Sequence, residues 1–149
     1  MFRPPWSSER SVRANCTSCG DCIAACPEAI LVPGPAKTPV VNFQQGECTF
    51  CEACADVCAE DVFAPTSDVP WSLVARLEPS CLLSAGVACR LCTDVCEPEA
   101  LRFKLRAGSV GDIHVAPDSC TGCGACVGTC PVSAITLTPF SSDNLEPTK

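Results

Sequence analysis

Sixteen cysteines fall into four groups of four, and none is left over. The first group is Cys16, Cys19, Cys22 and Cys26; the second is Cys48, Cys51, Cys54 and Cys58. The third is Cys81, Cys89, Cys92 and Cys96; the fourth is Cys120, Cys123, Cys126 and Cys130. Groups one, two and four read C-x2-C-x2-C-x3-C, while group three widens its first gap to seven residues and keeps the rest. Three thiolates at i, i+3 and i+6 on a tight loop can reach three corners of one iron–sulfur cubane, and this spacing is the bacterial run for [4Fe–4S] clusters. The x3 gap carries the last cysteine about 6 Å further if that stretch is helical. It then points away from its own loop, and in two-cluster proteins it ligates the other cluster.

Local residues agree with that chemistry. Gly20, Ala53, Gly122, Gly124 and Ala125 are small, which lets backbone N–H groups approach sulfide. Pro27 and Pro131 follow their groups as the pattern expects; Ala59 and Glu97 do not, although Pro98 comes one residue later. Structural zinc sites pair two C-x2-C knuckles further apart, and disulfides at this spacing would be strained. All sixteen cysteines are therefore expected as ligands, holding four [4Fe–4S] clusters.

The elements that must position these loops lie in the intervals between groups, which are 21, 22 and 23 residues long. Each has an apolar stretch, a Pro/Gly-rich turn and a second apolar stretch: AILV with VVNF, DVFA with WSLVARL, and LRFKL with DIHVA; AITLTP closes the series. Val, Ile and Phe enrichment with turn residues between predicts short strands in hairpins. A cysteine loop, a helical turn or two and a hairpin make a β-α-β repeat. The expected fold class is α+β: two tandem bacterial two-[4Fe–4S] ferredoxin-like domains built of pseudo-repeated units, loop-rich.

The expected boundaries are a flexible N-terminal arm at 1–9, domain one at 10–66, domain two at 67–139 and a flexible tail at 140–149. Sequential pairing of the groups (one with two, three with four) is favoured by Pro65, Pro70 and Pro79 in the middle interval. A nested arrangement, one with four around two with three, stays open. Sequential pairing puts Cys58 with the first loop and Cys26 with the second, Cys130 with the third and Cys96 with the fourth.

Composition supports a metal-built core. Cysteine is about 11% of the 149 residues, while Val, Ile, Leu and Phe number only 34, near the level at which a chain struggles to fold on aliphatic packing alone. No apolar run is long enough to span a bilayer, so no membrane insertion is expected. The opening MFRPPWSSER lacks an apolar core, so no secretory leader is expected. Cysteines in a chain without an export signal indicate a reducing, cytoplasmic compartment. Net charge is −7, which excludes a nucleic-acid binder; four cluster units of about −2 each would take the loaded protein to roughly −15 and favour low potentials.

Catalytic constellations are missing. His114 stands between apolar residues of DIHVA and is expected to face solvent. The glycines of TGCGACVG lie inside a ligand loop and do not match a dinucleotide fingerprint. An electron-transfer role is expected, not an enzyme. Two features suggest docking surfaces: Arg102, Lys104 and Arg106, which alternate with Leu101, Phe103 and Leu105 and would share one strand face, and the stiff Arg3-Pro4-Pro5-Trp6 arm.

The chain also resembles the NapF family of ferredoxin-type accessory proteins of the periplasmic nitrate reductase system. The likeness rests on RPPW at 3–6, PVVNFQQGECTFCEACADVC at 39–58, the wide third group ending DVCEPEAL at 94–101, and CTGCGACVGTCPVSAIT at 120–136. It implies four [4Fe–4S] clusters on the sixteen cysteines and a cytoplasmic protein. The implied partner is the catalytic subunit of the periplasmic nitrate reductase, which it helps to mature, by cluster assembly or reduction, before export. A polyferredoxin subunit of another oxidoreductase complex is the alternative. Ala59 departs from the expected proline.

Overall fold

The computed structural model describes residues 1–107 and 110–140. The chain divides into two compact units, Met1–Trp71 and Ser72–Lys149. In the first, helix α1 (Glu9–Asn15) precedes the first cysteine loop. Helix α2 (Asp21–Ala24), strands β1 (Leu31–Pro33) and β2 (Pro39–Val41) and helix α3 (Ala53–Asp56) follow. The second unit runs β3 (Leu73–Leu77), α4 (Leu91–Asp94), β4 (Leu101–Lys104), β5 (Asp112–Val115), α5 (Ala125–Thr129) and β6 (Ile135–Pro139).

The first and third expected hairpins form. β1 pairs antiparallel with β2, Leu31 opposite Val41, and β4 with β5, Leu101 opposite Val115. The middle one does not. WSLVARL becomes β3, which pairs antiparallel with β6 from Leu73↔Pro139 to Leu77↔Ile135, while DVFA contributes the single bridge Ser7↔Phe63. The middle interval is where one unit ends and the next begins, so its two apolar stretches serve different cores.

Residues 1–9 are not the flexible arm that their composition suggests. Pro4, Pro5 and Trp6 are buried, Trp6 to 6% exposure. The Trp6 N–H donates to the Pro70 carbonyl at 2.7 Å, its carbonyl accepts from Ala64 N–H at 2.6 Å, and its indole Nε1 donates to the Asp68 carbonyl at 2.9 Å. Arg3 donates to Glu9, to Thr38 Oγ1 and to the Pro39 carbonyl. Burying an indole, with its N–H satisfied, outweighs the cost of ordering a stiff proline segment. For the expected tail at 140–149, residues 141–149 lie outside the described residues.

A repeat runs through both cores. The residue four beyond the last cysteine of each group is almost wholly buried: Ile30 2%, Val62 2%, Ala100 0% and Ala134 0%. Each sits where the chain leaves the cysteine loop, so every repeat has one apolar anchor at the same place.

Candidate functional site

Each cysteine loop delivers its third cysteine on the first turn of a short helix: Cys22 on α2, Cys54 on α3, Cys92 on α4 and Cys126 on α5. These four are the buried members of the set, at 7–8% exposure. Helices α2 and α3 pack together in the first unit, as do α4 and α5 in the second. The fourth cysteine of each group follows its helix, and that packing turns it toward the companion loop.

The result is a three-plus-one arrangement. One recess is walled by Cys16, Cys19, Cys22 and Cys58, and another by Cys26, Cys48, Cys51 and Cys54. The second unit repeats it. The thiols that press electrostatically on Cys92 are Cys81, Cys89 and Cys130; those on Cys126 are Cys123, Cys120, Cys92 and Cys96. The structure therefore brings groups one and two together, and three and four together, in the sequential scheme. Among the described residues no three Cys, His, Asp or Glu side chains close on one point as a single metal ion would require.

Burial, followed by neighbouring cysteine charges, pushes the Cys22 and Cys92 thiols up to about 11 and the Cys54 and Cys126 thiols up to about 12. Such thiols give up their protons only to a cation that replaces them, so loading iron releases protons. The Cys16 sulfur accepts from Ser18 N–H at 3.4 Å and the Cys130 sulfur from Ala134 N–H at 3.1 Å. Soft donors in three-plus-one sets, with backbone donors aimed at sulfur, fit an iron–sulfur cubane.

The sequence reading missed the part that Pro5 and Trp6 play in this site. Pro5, Trp6 and Phe50 line the recess of Cys26, Cys48, Cys51 and Cys54. The Trp6 and Phe50 rings meet edge to face at 6.4 Å, and Phe50, Trp71 and Phe43 continue the chain of ring contacts. Pro5 and Trp6 are thus a wall of the second recess, and the RPPW segment is not a free docking arm. The signal was available, since an indole beside two prolines seldom stays in water. Val57, beside the ligand Cys58, is 43% exposed. Arg102 and Lys104 do share the exposed face of β4, and His114 is exposed on β5. Arg106 lies beyond the strand, 3.8 Å from Asp112, and Leu105 is 86% exposed, so three cations do not line one strand face.

Comparison with known proteins agrees with the geometry. Two 4Fe-4S dicluster domain models match, over residues 15–63 and 87–134. A ferredoxin-type protein NapF of Haemophilus influenzae is 50% identical over 137 residues, covering 91% of this chain and 78% of that protein. This chain belongs to the NapF family of ferredoxin-type proteins. The Escherichia coli K12 member is 43% identical over 136 residues, covering 91% of this chain and 83% of that protein. More distantly, a methylamine utilization ferredoxin-type protein MauM of Methylorubrum extorquens is 30% identical over 150 residues, covering 87% and 67%. No solved structure matches the chain. The two dicluster domains and sixteen cysteines fit four [4Fe–4S] clusters. No helix among the described residues is long and apolar enough to cross a membrane.

Proposed function

We propose that this NapF-family protein carries four [4Fe–4S] clusters and serves, in the cytoplasm, the maturation of the periplasmic nitrate reductase catalytic subunit before its export. The observation that carries the cluster assignment is the three-plus-one grouping of the cysteines. One cluster falls to Cys16, Cys19, Cys22 and Cys58, and a second to Cys48, Cys51, Cys54 and Cys26. The third falls to Cys81, Cys89, Cys92 and Cys130, and the fourth to Cys120, Cys123, Cys126 and Cys96. A cluster held wholly by cysteine supplies one-electron transfer. The chain contributes the rest: thiolates that fix each site, backbone N–H groups that face sulfur, and the Trp6–Phe50 wall that limits water at the second site.

The family resemblance supports the maturation role. Binding to the unfinished catalytic subunit would let electrons, or the conditions for cluster assembly, reach it before export. Arg102 and Lys104, exposed together on an acidic chain, are the proposed contact.

Anaerobic purification with iron and sulfide counting and EPR tests the cofactor. About sixteen irons per chain are expected, as four cubanes. Capture of the catalytic subunit lacking its cofactors, and a fall in active nitrate reductase on gene deletion, test the role. Normal maturation in the deletion strain overturns it. Copurification in fixed stoichiometry with another redox enzyme, with reduction during its turnover, favours the polyferredoxin alternative.

A further inference from the structure

Three of the four ligand loops share a backbone turn that the third lacks. In the first loop the residues flanking the second cysteine, Ser18 and Gly20, have φ of 60° and 88°. Phe50 and Glu52 have 53° and 65° in the second, Gly122 and Gly124 72° and 86° in the fourth. The cysteines between them are not left-handed, so the backbone alternates. That Phe50 and Glu52 accept a conformation costing an L-residue about 1 kcal/mol marks it as imposed by the site. Such alternation turns successive N–H groups inward and makes a concavity that receives anions, including iron–sulfur sites.

The third loop is built otherwise. Ala88 is not left-handed and Arg90 has φ −135°. Its left-handed residue is Gly86, which closes a separate turn in which Ser84 N–H bonds to the Cys81 carbonyl and Val87 N–H to the Leu82 carbonyl. The extra residues make hydrogen bonds with each other, and Leu83 is buried as their anchor. The second cysteine is better covered than in the first two loops, since Cys89 is half-buried, as Cys123 is in the fourth, where Cys19 and Cys51 are exposed.

Donors to sulfur and access to water both stabilise the more negative, reduced state and so raise a cluster's potential. Two features of the third site oppose the loss of loop donors: the Ala134 N–H donates to the Cys130 sulfur at 3.1 Å, and Arg90, the one cation inside the four ligand loops, also favours the reduced state. Its guanidinium lies over the Phe103 ring, 5.2 Å from the centroid, on an exposed residue where counter-ions screen it.

We infer that the cluster of Cys81, Cys89, Cys92 and Cys130 has the lowest potential of the four. It is the last to accept an electron and the first to give one up. Each cluster changes by one electron, with no bond made or broken, so a low-potential one-electron donor must supply it. An electron placed there runs downhill to the companion site of Cys120, Cys123, Cys126 and Cys96. The inference rests on the four-cluster reading of the preceding subsection.

The test is an EPR-monitored titration of the anaerobically purified full chain, with dithionite as reductant. It is made on the wild type, on Arg90→Gln, and on a loop graft in which residues 82–90 are replaced by Thr-Gly-Cys-Gly from the fourth loop. The graft is expected to raise the lowest potential by at least tenfold in reduction equilibrium, about 59 mV. Arg90→Gln is expected to move it less and downward. In the wild type after solvent exchange into deuterium oxide, pulsed EPR is expected to find fewest exchangeable deuterons coupled to the species reduced last. That measurement holds even if the graft fails to fold. Equal deuteron coupling in all four species overturns the inference, as does a lowest step unmoved by the graft or moved as far by Arg90→Gln. An iron count short of about sixteen sinks the four-cluster reading itself, before any titration.

Discussion

The two units hold their cysteines the same way and close around them differently. The second unit closes with a ladder: β3 and β6 pair over five residues, with Leu73, Ala75, Ile135 and Leu137 buried along it. At the corresponding place the first unit has the single bridge Ser7↔Phe63. In place of the ladder it has helix α1, the buried Pro4-Pro5-Trp6 strap, and ring contacts joining Phe2, Phe43, Trp71, Phe50 and Trp6. Backbone hydrogen bonds and aromatic burial are therefore interchangeable ways to finish the same frame. They fail differently. A ladder spreads its free energy over many residues, whereas the strap concentrates it in one indole.

Trp6→Ala should show the largest effect. Truncating a buried Trp costs about 3–5 kcal/mol, and here it also removes the Nε1 bond to Asp68 and one wall of the second recess. Limited proteolysis of the anaerobic protein should then cut residues 1–71 far faster and leave 72–140 protected. Loss of protection in both units to the same degree would remove the distinction. Leu137→Ala is the reciprocal test, at about 2–5 kcal/mol and toward the lower end, because the ladder's backbone bonds survive the truncation. Cleavage should move to residues 72–140 alone, and a variant that also opened residues 1–71 would mean that the units do not close independently.

This difference bears on what the residues reveal before folding. The cysteine groups, helices α2 to α5 and the hairpins β1–β2 and β4–β5 are local patterns, readable from spacing and turn residues. The closures are not local. β3 meets β6 across nearly the whole second unit, and nothing in WSLVARL states whether its partner is DVFA or AITLTP. Helix α1 was readable and overlooked: Ser8 caps it, with Ser11 completing the capping box. The left-handed Phe50 and Glu52 were not readable, since only glycine announces that conformation in a sequence. Small residues were expected in the ligand loops, but the loop imposes its turn on whatever side chain is there.

The smallest effect expected concerns the strap's outer anchor. Glu9 receives Arg3 Nε at 2.6 Å and Arg13 Nε at 2.9 Å. Chiefly the Arg3 hydrogen bond holds its carboxyl down at about 2, against an ordinary 4.5. A depressed acid contributes stability that is fully present above its unfolded pKa and lost as pH falls through the folded one. The contribution is therefore whole above pH 4.5 and fades toward about 2. Across the neutral range Glu9→Gln should weaken the protection of residues 1–71 slightly and by a constant amount. The effect should shrink as salt rises, because the carboxylate is exposed. Arg3→Ala should weaken it more, since Arg3 also holds Thr38 Oγ1 and the Pro39 carbonyl from a position only 14% exposed. If Glu9→Gln proved the more damaging of the two, the outer ion pair and not the buried segment would be fastening the strap. The contrast with the ladder-closed unit would then rest on surface charge.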